Sequence, residues 1–284
     1  MFLILKLKKN LHIKKVKKVL IIGSYGFIGK YLKKKLKKNF NLICPKRGVN
    51  FNIKNKKQLK KIINQNISVI INLSGQIQKN KKQMYDTIVK GNKNIVEIVK
   101  ELKKNIRIYY FSTTLVYGYS PKILDETSNT NPISSYSKYK RIAENNYINS
   151  NINYKILRVA NVYSKNKAGI INNIFNYFKK DKKILVTNLN VYRNYIHILD
   201  LVNIFSKIIN KKLSKNIYNI GNENKSIRDI FYSLEKKINK KISFKNKKMK
   251  LKNLSSHKIK KSKLLKEINY QPKIDLLNYL LKNI

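Results

Sequence analysis

Short apolar runs and amphipathic stripes alternate along the first half of this chain. Lys18–Gly23 (KVLIIG) has the composition of a strand, and Phe27–Asn39 carries Ile28, Leu32 and Leu36 at i, i+4 spacing. That stripe predicts an amphipathic helix. Asn41–Cys44 reads as a second strand and Lys56–Ile63 as a helix. Ser68–Leu73 (SVIINL) lacks polar alternation, which predicts a strand covered on both faces. A long helix near Gln83–Lys103, a strand at Arg107–Ser112, a helix near Ser137–Ile148 and a strand at Tyr154–Arg158 continue the series. Strands alternating with helices predict an α/β fold with a doubly wound parallel sheet. Beyond residue 164 the pattern loosens. Asn172–Lys179 and Leu199–Asn210 read as helices, Lys183–Val186 and Ile217–Ile220 as strands, and the Lys-rich stretch 236–252 as a mobile segment. The expected organisation is an N-terminal extension at 1–16, a sheet domain at 17–164, and a smaller, discontinuous C-terminal lobe at 165–284. Strands near 183–186 and 217–220 are candidates to return from that lobe to the sheet.

A chain of 284 residues suffices for one large α/β domain with a smaller lobe. The formal charge of +51 would ordinarily suggest nucleic acid. The lysines, however, are spread along the whole chain and accompany an equally heavy load of Asn and Ile, the signature of AT-rich coding. The expectation is therefore solvated lysines with no dedicated nucleic-acid partner, on a surface that still attracts anionic ligands. The single cysteine, Cys44, excludes an internal disulfide. His12, His197 and His257 lie far apart, so no metal site is expected. The N-terminal MFLILKLKKN has neither the order of a signal peptide nor the length of a membrane span, which predicts a cytoplasmic protein with no membrane partner.

Between the first strand and first helix lies Gly23-Ser24-Tyr25-Gly26-Phe27-Ile28-Gly29. Gly23 permits a tight exit from the strand, Gly26 lets a pyrophosphate approach backbone N–H groups, and Gly29 lets helix and sheet pack closely. The helix N-terminus adds partial positive charge. These offsets predict a Rossmann-type dinucleotide site. An acid at the end of the second strand would bond a ribose 2′-hydroxyl, whereas a cation would accept a 2′-phosphate. Cys44-Pro45-Lys46-Arg47 stands there. Of NAD and NADP, these residues favour NADP.

Tyr-x-x-x-Lys occurs at Tyr136/Lys140, and also at Tyr31/Lys35, Tyr163/Lys167 and Tyr232/Lys236. Position selects the first copy. It follows Pro132 and Ser134-Ser135, opens a helix, and comes after the strand end Ser112-Thr113-Thr114-Leu115-Val116-Tyr117-Gly118. Residues at i and i+4 share a helix face, so Tyr136 and Lys140 can enter one cleft.

With these motifs in order, the chain resembles the extended short-chain dehydrogenase/reductases, in particular the NAD-dependent epimerase/dehydratase group acting on nucleotide sugars. GSYGFIG (23–29) resembles the cofactor turn, and NLSG (72–75) resembles the end of the family's fourth strand at the nicotinamide ribose. STTLVYG (112–118) and YSKYKRIAE (136–144) resemble the catalytic segments. Arg158-Val-Ala-Asn161-Val-Tyr163, Arg193-Asn-Tyr-Ile-His197-Ile-Leu-Asp200, Asn219-Ile-Gly221 and Tyr270-Gln-Pro272 resemble later landmarks.

The resemblance implies Tyr136 as proton-exchanging group, with Lys140 and Thr113 assisting. Lys140 and an oxidised nicotinamide would lower the phenol's pKa from its ordinary value near 10. It implies cofactor contacts at Gly23, Tyr25, Gly26, Phe27, Ile28, Gly29, Arg47, Asn52, Ile53, Leu73, Ser74, Gly75, Tyr136, Lys140 and Val159, and substrate contacts at Thr114, Asn161 and Arg193. It further implies a nucleotide-sugar substrate bound in the C-terminal lobe, and a homodimer formed through the helices near 83–103 and 137–150. Departures narrow the chemistry. The dehydratases carry Thr-Asp-Glu where Thr113-Thr114-Leu115 stands, and the fucose-synthase branch has a cysteine at the position of Leu115. Reduction of a 4-keto sugar and C4 epimerisation remain, the reductase slightly ahead. Ile88 replaces the family's usual Asn, and Asn194 its Asp after Arg193.

Overall fold

The computed structural model describes residues 17–49, 51–75, 80–165, 169–180, 183–246 and 249–284, so the extension expected at 1–16 lies outside the described residues. The apolar run Lys18–Ile22 is strand β1, and Phe27–Leu36 is helix α1. Asn41–Ile43 (β2), Lys56–Ile63 (α2), Val69–Asn72 (β3) and Lys81–Tyr85 (α3) follow. A π-helical turn at Asp86–Lys90 joins α3 to α4, Gly91–Glu101. Thus the helix expected as one piece over 83–103 is interrupted, and Ile88 on the wide turn is buried against Gly75. Next come β4 (Arg107–Thr113), β5 (Tyr119–Leu124), α5 (Ser135–Ile148), β6 (Tyr154–Val159), β7 (Asn161–Tyr163), α6 (Ile170–Lys180) and β8 (Ile184–Val186). The chain closes with β9 (Tyr192–His197), α7 (Ile198–Ile208), β10 (Ile217–Ile220), β11 (Glu223–Ser226), α8 (Ile227–Ile238), β12 (Phe244–Asn246), β13 (Ser256–Ile259), α9 (Lys263–Glu267) and α10 (Leu276–Leu281).

Six strands form one sheet in the order β10-β6-β4-β3-β1-β2, every neighbouring pair parallel. The chain order reverses on either side of β1. Ligands of such sheets bind at that switch, outside the carboxyl ends of the strands. An isolated bridge between Arg47 and Phe51 follows β2, so the strand that the family counts as its fourth is the third here, β3. Both faces are covered, which explains the unbroken apolar strands. Leu32 and Leu36 of α1 pack with Leu201 and Phe205 of α7 on one face. Leu59, Ile95, Ala143 and Tyr147, from α2, α4 and α5, pack on the other.

Beyond residue 164 the chain divides its residues between two bodies. α7 and β10 belong to the large sheet, as expected for Ile217–Ile220. The strand near 183–186 does not return to it: β8 pairs in parallel with β12 of the Lys-rich stretch. That stretch contains the end of α8, β12 and a short 3-10 turn at Leu251–Asn253, where a mobile segment was expected. Its lysines disguise Phe244 and Ile242, which dock on a separate core with Ile174, Phe175, Phe231 and Leu280. Alternation along β9 ties the bodies together, because Tyr195 faces the small core and Ile196 the large one.

Buried charge locks α5 to the sheet. Glu144 and Arg158 of β6 are 0% and 3% exposed, with Arg158 Nη2 2.8 Å from Glu144 Oε2. Removing either partner alone should cost about 3–5 kcal/mol, because the remaining charge stays buried. His257 on β13 is buried with Nδ1 2.8 Å from the Gly118 carbonyl. Burial holds its pKa down to about 4 from 6.5. A folded-state value below the unfolded one means that the stabilisation is complete above pH 6.5 and is lost as pH falls towards 4. We expect about 3 kcal/mol of unfolding free energy to disappear over that window, read from urea midpoints. His257→Gln should remove that part of the slope.

Candidate active site

The carboxyl ends of β1, β3, β4 and β6 open on a cavity of about 430 Å³. Its wall brings together Gly23, Gly26, Phe27, Ile28 and Gly29 of the first turn, Leu73 and Gly75 after β3, Thr113 of β4, Tyr136 and Lys140 of α5, and Val159 and Asn161. Tyr25, Arg47, Asn52, Ile53, Thr114 and Arg193 lie outside that wall. Tyr25 is about half exposed, with Lys33 Nζ 5.1 Å from its ring centre. Arg47 is exposed in the turn after β2. Asn52 accepts the Lys54 N–H at 3.0 Å, while Ile53 is a core side chain beneath Gly91. Thr114 is buried at the start of a 3-10 turn. Arg193 donates to the Tyr192 carbonyl at 2.9 Å, and burial lowers its pKa to about 10. Ser74 stands behind the wall, its carbonyl accepting from Lys140.

The residues at the turn fit a dinucleotide. Gly26 caps α1 without a side-chain bond, so the first N–H groups of the helix remain directed at its N-terminal end. Gly23 has φ +86°, and a Cβ on Gly29 would lie 2.2 Å from the Gly23 carbonyl oxygen. The buried hydroxyl of Ser74, just after β3, has no hydrogen-bond partner in the fold, which leaves it available to a polar ligand.

Ser134 opens α5 with a reciprocal capping box to Ser137, which sets the register of the helix. Lys140 is 2% exposed, and its ammonium donates to the carbonyls of Ser74 at 2.9 Å and Phe111 at 2.8 Å. Those bonds pin α5 to the ends of β3 and β4. Nζ stands 5.8 Å from the Tyr136 ring centre. Desolvation lowers the Lys140 pKa to about 7 and raises that of Tyr136 to about 12. The expected lowering called on both Lys140 and an oxidised nicotinamide, and in the polypeptide without that nicotinamide burial holds the phenol up. The Lys140 protons point at carbonyls, and burial outweighs a charge at that distance. Thr113 Oγ1 accepts the Leu115 N–H at 3.2 Å, so this hydroxyl both caps the backbone turn and faces the cavity.

Sequence reasoning missed Phe111, Ser112, Ala160, Val162, Tyr163, Ile170, Ile171 and Tyr195 in the same wall. Tyr163 and Tyr195 stood inside recognised motifs; Ile170 and Ile171 lie in the irregular part, where no pattern marks them. A second, more open cavity of about 470 Å³ in the small lobe is lined by Thr187, Asn188, Leu189, Asn190, Arg228, Met249 and Lys250. Among the described residues no group of His, Cys, Asp or Glu is arranged to hold a metal.

The architecture is that of known dinucleotide-dependent enzymes. The Bordetella bronchiseptica enzyme WbmG, solved in complex with NAD and UDP, superposes with TM-score 0.81 at 17% identity, covering 95% of this chain and 94% of that one. UDP-glucuronic acid 4-epimerase from Bacillus cereus, in complex with UDP-glucuronic acid and NAD, gives 0.79 at 21% identity over 94% and 97% of the two chains. dTDP-glucose 4,6-dehydratase from Bacillus anthracis, in complex with NAD, gives 0.80 at 20% over 94% and 95%. No curated protein matches the sequence significantly. The profile of the NAD dependent epimerase/dehydratase family matches residues 19–221. The chain belongs to that family and is an enzyme of it.

Gly29→Ala forces a Cβ into backbone, and overpacking of that kind costs about 1–3 kcal/mol. Beyond this loss, NAD or NADP should raise the melting temperature of the wild type by mass action and leave the variant unmoved, as thermal scans with and without dinucleotide would report.

Proposed function

We propose that the protein transfers hydride at C4 of the sugar of a nucleotide sugar, with reduction of a 4-keto sugar by NADPH as the leading reaction. One observation carries this reading. Thr113, Tyr136 and Lys140 meet in one cavity, whereas Thr114 and Leu115 stand where the dehydratases carry their two carboxylates. Elimination of water at C5 and C6 therefore lacks its acid–base pair.

The nicotinamide, when bound, supplies or accepts the hydride. Tyr136 gives its phenolic proton to O4 as the carbonyl is reduced, or takes it back in the reverse direction. Burial raises the pKa of this phenol to about 12, so it stands in its neutral, proton-donating form at pH 7. Thr113 hydrogen-bonds O4 through its hydroxyl proton, since its oxygen already accepts from Leu115. Two protons of the Lys140 ammonium are committed to carbonyls, and the third serves the nicotinamide ribose. Gly23, Gly26 and Gly29 cradle the pyrophosphate. Lys46 and Arg47 accommodate a 2′-phosphate, which supports NADP. Asn161 and Thr114 serve the sugar, while Arg193 and the second cavity, with Arg228 and Lys250, serve the nucleotide end.

C4 epimerisation with recycled NAD is the second reading. It is supported by solved relatives that hold NAD, one of them a UDP-glucuronic acid 4-epimerase. The two are separated by supplying NADPH with a nucleotide 4-keto-6-deoxy sugar, and separately a UDP-hexose without added cofactor. Stoichiometric NADPH oxidation is expected. Conversion of the hexose without net cofactor change would establish the epimerase instead. Tyr136→Phe should lower either rate by about 100-fold or more without altering dinucleotide affinity.

The dimer belongs to the same proposal. Tyr85, Ile142 and Ile148 are exposed apolar side chains on α3 and α5, the region named for self-association. Light scattering at micromolar concentration should give twice the 33.5 kDa chain mass, and Ile142→Lys should return it to one.

A further inference from the structure

Tyr136, Lys140 and Glu144 follow one another at four-residue intervals on the sheet-facing side of α5. The first two enter the cavity and the third does not. Glu144 is nevertheless fully buried, and its carboxylate gathers the elements that build the wall. Ser112 Oγ of β4 donates to Oε1 at 2.5 Å, and Ser112 directly precedes Thr113. Arg158 of β6 donates through Nη2 to Oε2 at 2.8 Å, and Arg158 directly precedes Val159. The Arg158 Nη1 donates onward to the Tyr117 hydroxyl at 2.9 Å, which reaches Asn219 on β10.

We propose that Glu144 is the positioning residue of this active site: its buried carboxylate ties the Thr113 strand β4 and the Val159 strand β6 to α5 and places a full negative charge one helical turn from Lys140. This rests on the assignment of Lys140 to dinucleotide binding made above. Groups facing Lys140 are the Ser74 and Phe111 carbonyls, the Tyr110 ring 4.9 Å away, the Tyr136 ring and, one turn along, Glu144. Among these charged or titratable neighbours Glu144 carries the one full negative charge, and its effect opposes the desolvation that strips Lys140 of its proton. Facing Glu144 are Arg158 of β6, Ser112 and Tyr110 of β4, and Arg141 of α5 at 3.6 Å. Arg158 satisfies the carboxylate that would otherwise be too costly to bury beside a lysine needed as a cation.

The test follows the Lys140 side chain itself. Lysine-selective 13Cε NMR, assigned with Lys140→Arg, reads its titration midpoint in the protein without substrate. Glu144→Gln should lower that midpoint by about one unit, the lower end of the shift produced by one close opposite charge, which is a tenfold smaller ratio of ammonium to amine at any given pH. Glu144→Asp should keep the midpoint near the wild-type value, and a purely structural role would not separate Asp from Gln. Glu144→Gln combined with Arg158→Met spares Arg158 an unpaired burial, and its midpoint is expected to lie about one unit below that of Arg158→Met alone, the comparison that isolates the charge of the carboxylate. Equal midpoints in Arg158→Met and the double variant, or equal behaviour of Asp and Gln, overturn the inference. A fall in midpoint in a protein that turns over no nucleotide sugar supports the role of Glu144 and counts against the sugar chemistry alone.

Discussion

Everything at the carboxyl end of the sheet depends on α5 docking two opposite charges away from water. Lys140 exchanges its hydration shell for the carbonyls of Ser74 and Phe111, and Glu144 exchanges its own for Ser112 and Arg158. Each carbonyl and each strand end is held in return. The arrangement is expensive if incomplete and rigid when complete. It therefore specifies the register of the helix to a single turn. Tyr136 takes its position from that register and from packing on the core beneath α5.

The same desolvation sets the chemistry. Burial raises the phenol and lowers the ammonium, so both groups stand nearer their neutral forms than in solution. A neutral phenol donates readily and accepts reluctantly. The π-turn at Asp86–Lys90 places Ile88, buried, against Gly75 of the cavity wall.

The scarcity of acids makes their placement informative. Every carboxylate among the described residues has a hydrogen-bond or ion-pair partner in the fold. Asp200 accepts from Tyr270, Lys273 and Ile274, Glu267 from Ser214 and Tyr218, and Glu223 from the Leu276 N–H. Asp229 and Asp275 cap α8 and α10. Lysines, by contrast, mostly decorate outer helix faces, where a flexible stem and a hydrated head are tolerated at little cost. A drift in composition towards lysine could cover such faces while leaving the interior intact, and Lys140 and Lys155 are the exceptions that the interior uses.

Local rules sufficed wherever a residue acts through its own segment. The alternation of Lys18–Ile22 with the Leu32/Leu36 stripe, the three glycines of the first turn and the Tyr136/Lys140 spacing are short-range patterns, and they made the doubly wound sheet and its cofactor end legible. Tertiary structure alone decided the rest, since contacts between segments distant in the chain leave no periodic trace in either. It paired β8 with β12 rather than with the large sheet, and sent Ile53 to the core while the glycine turn went to the cavity. It also brought Ser112, Glu144 and Arg158 into one buried cluster. The sign of the pKa shifts at Tyr136 and Lys140 belongs here too. Spacing along a helix tells which groups are neighbours, but the dielectric around them is set by what the other strands bury.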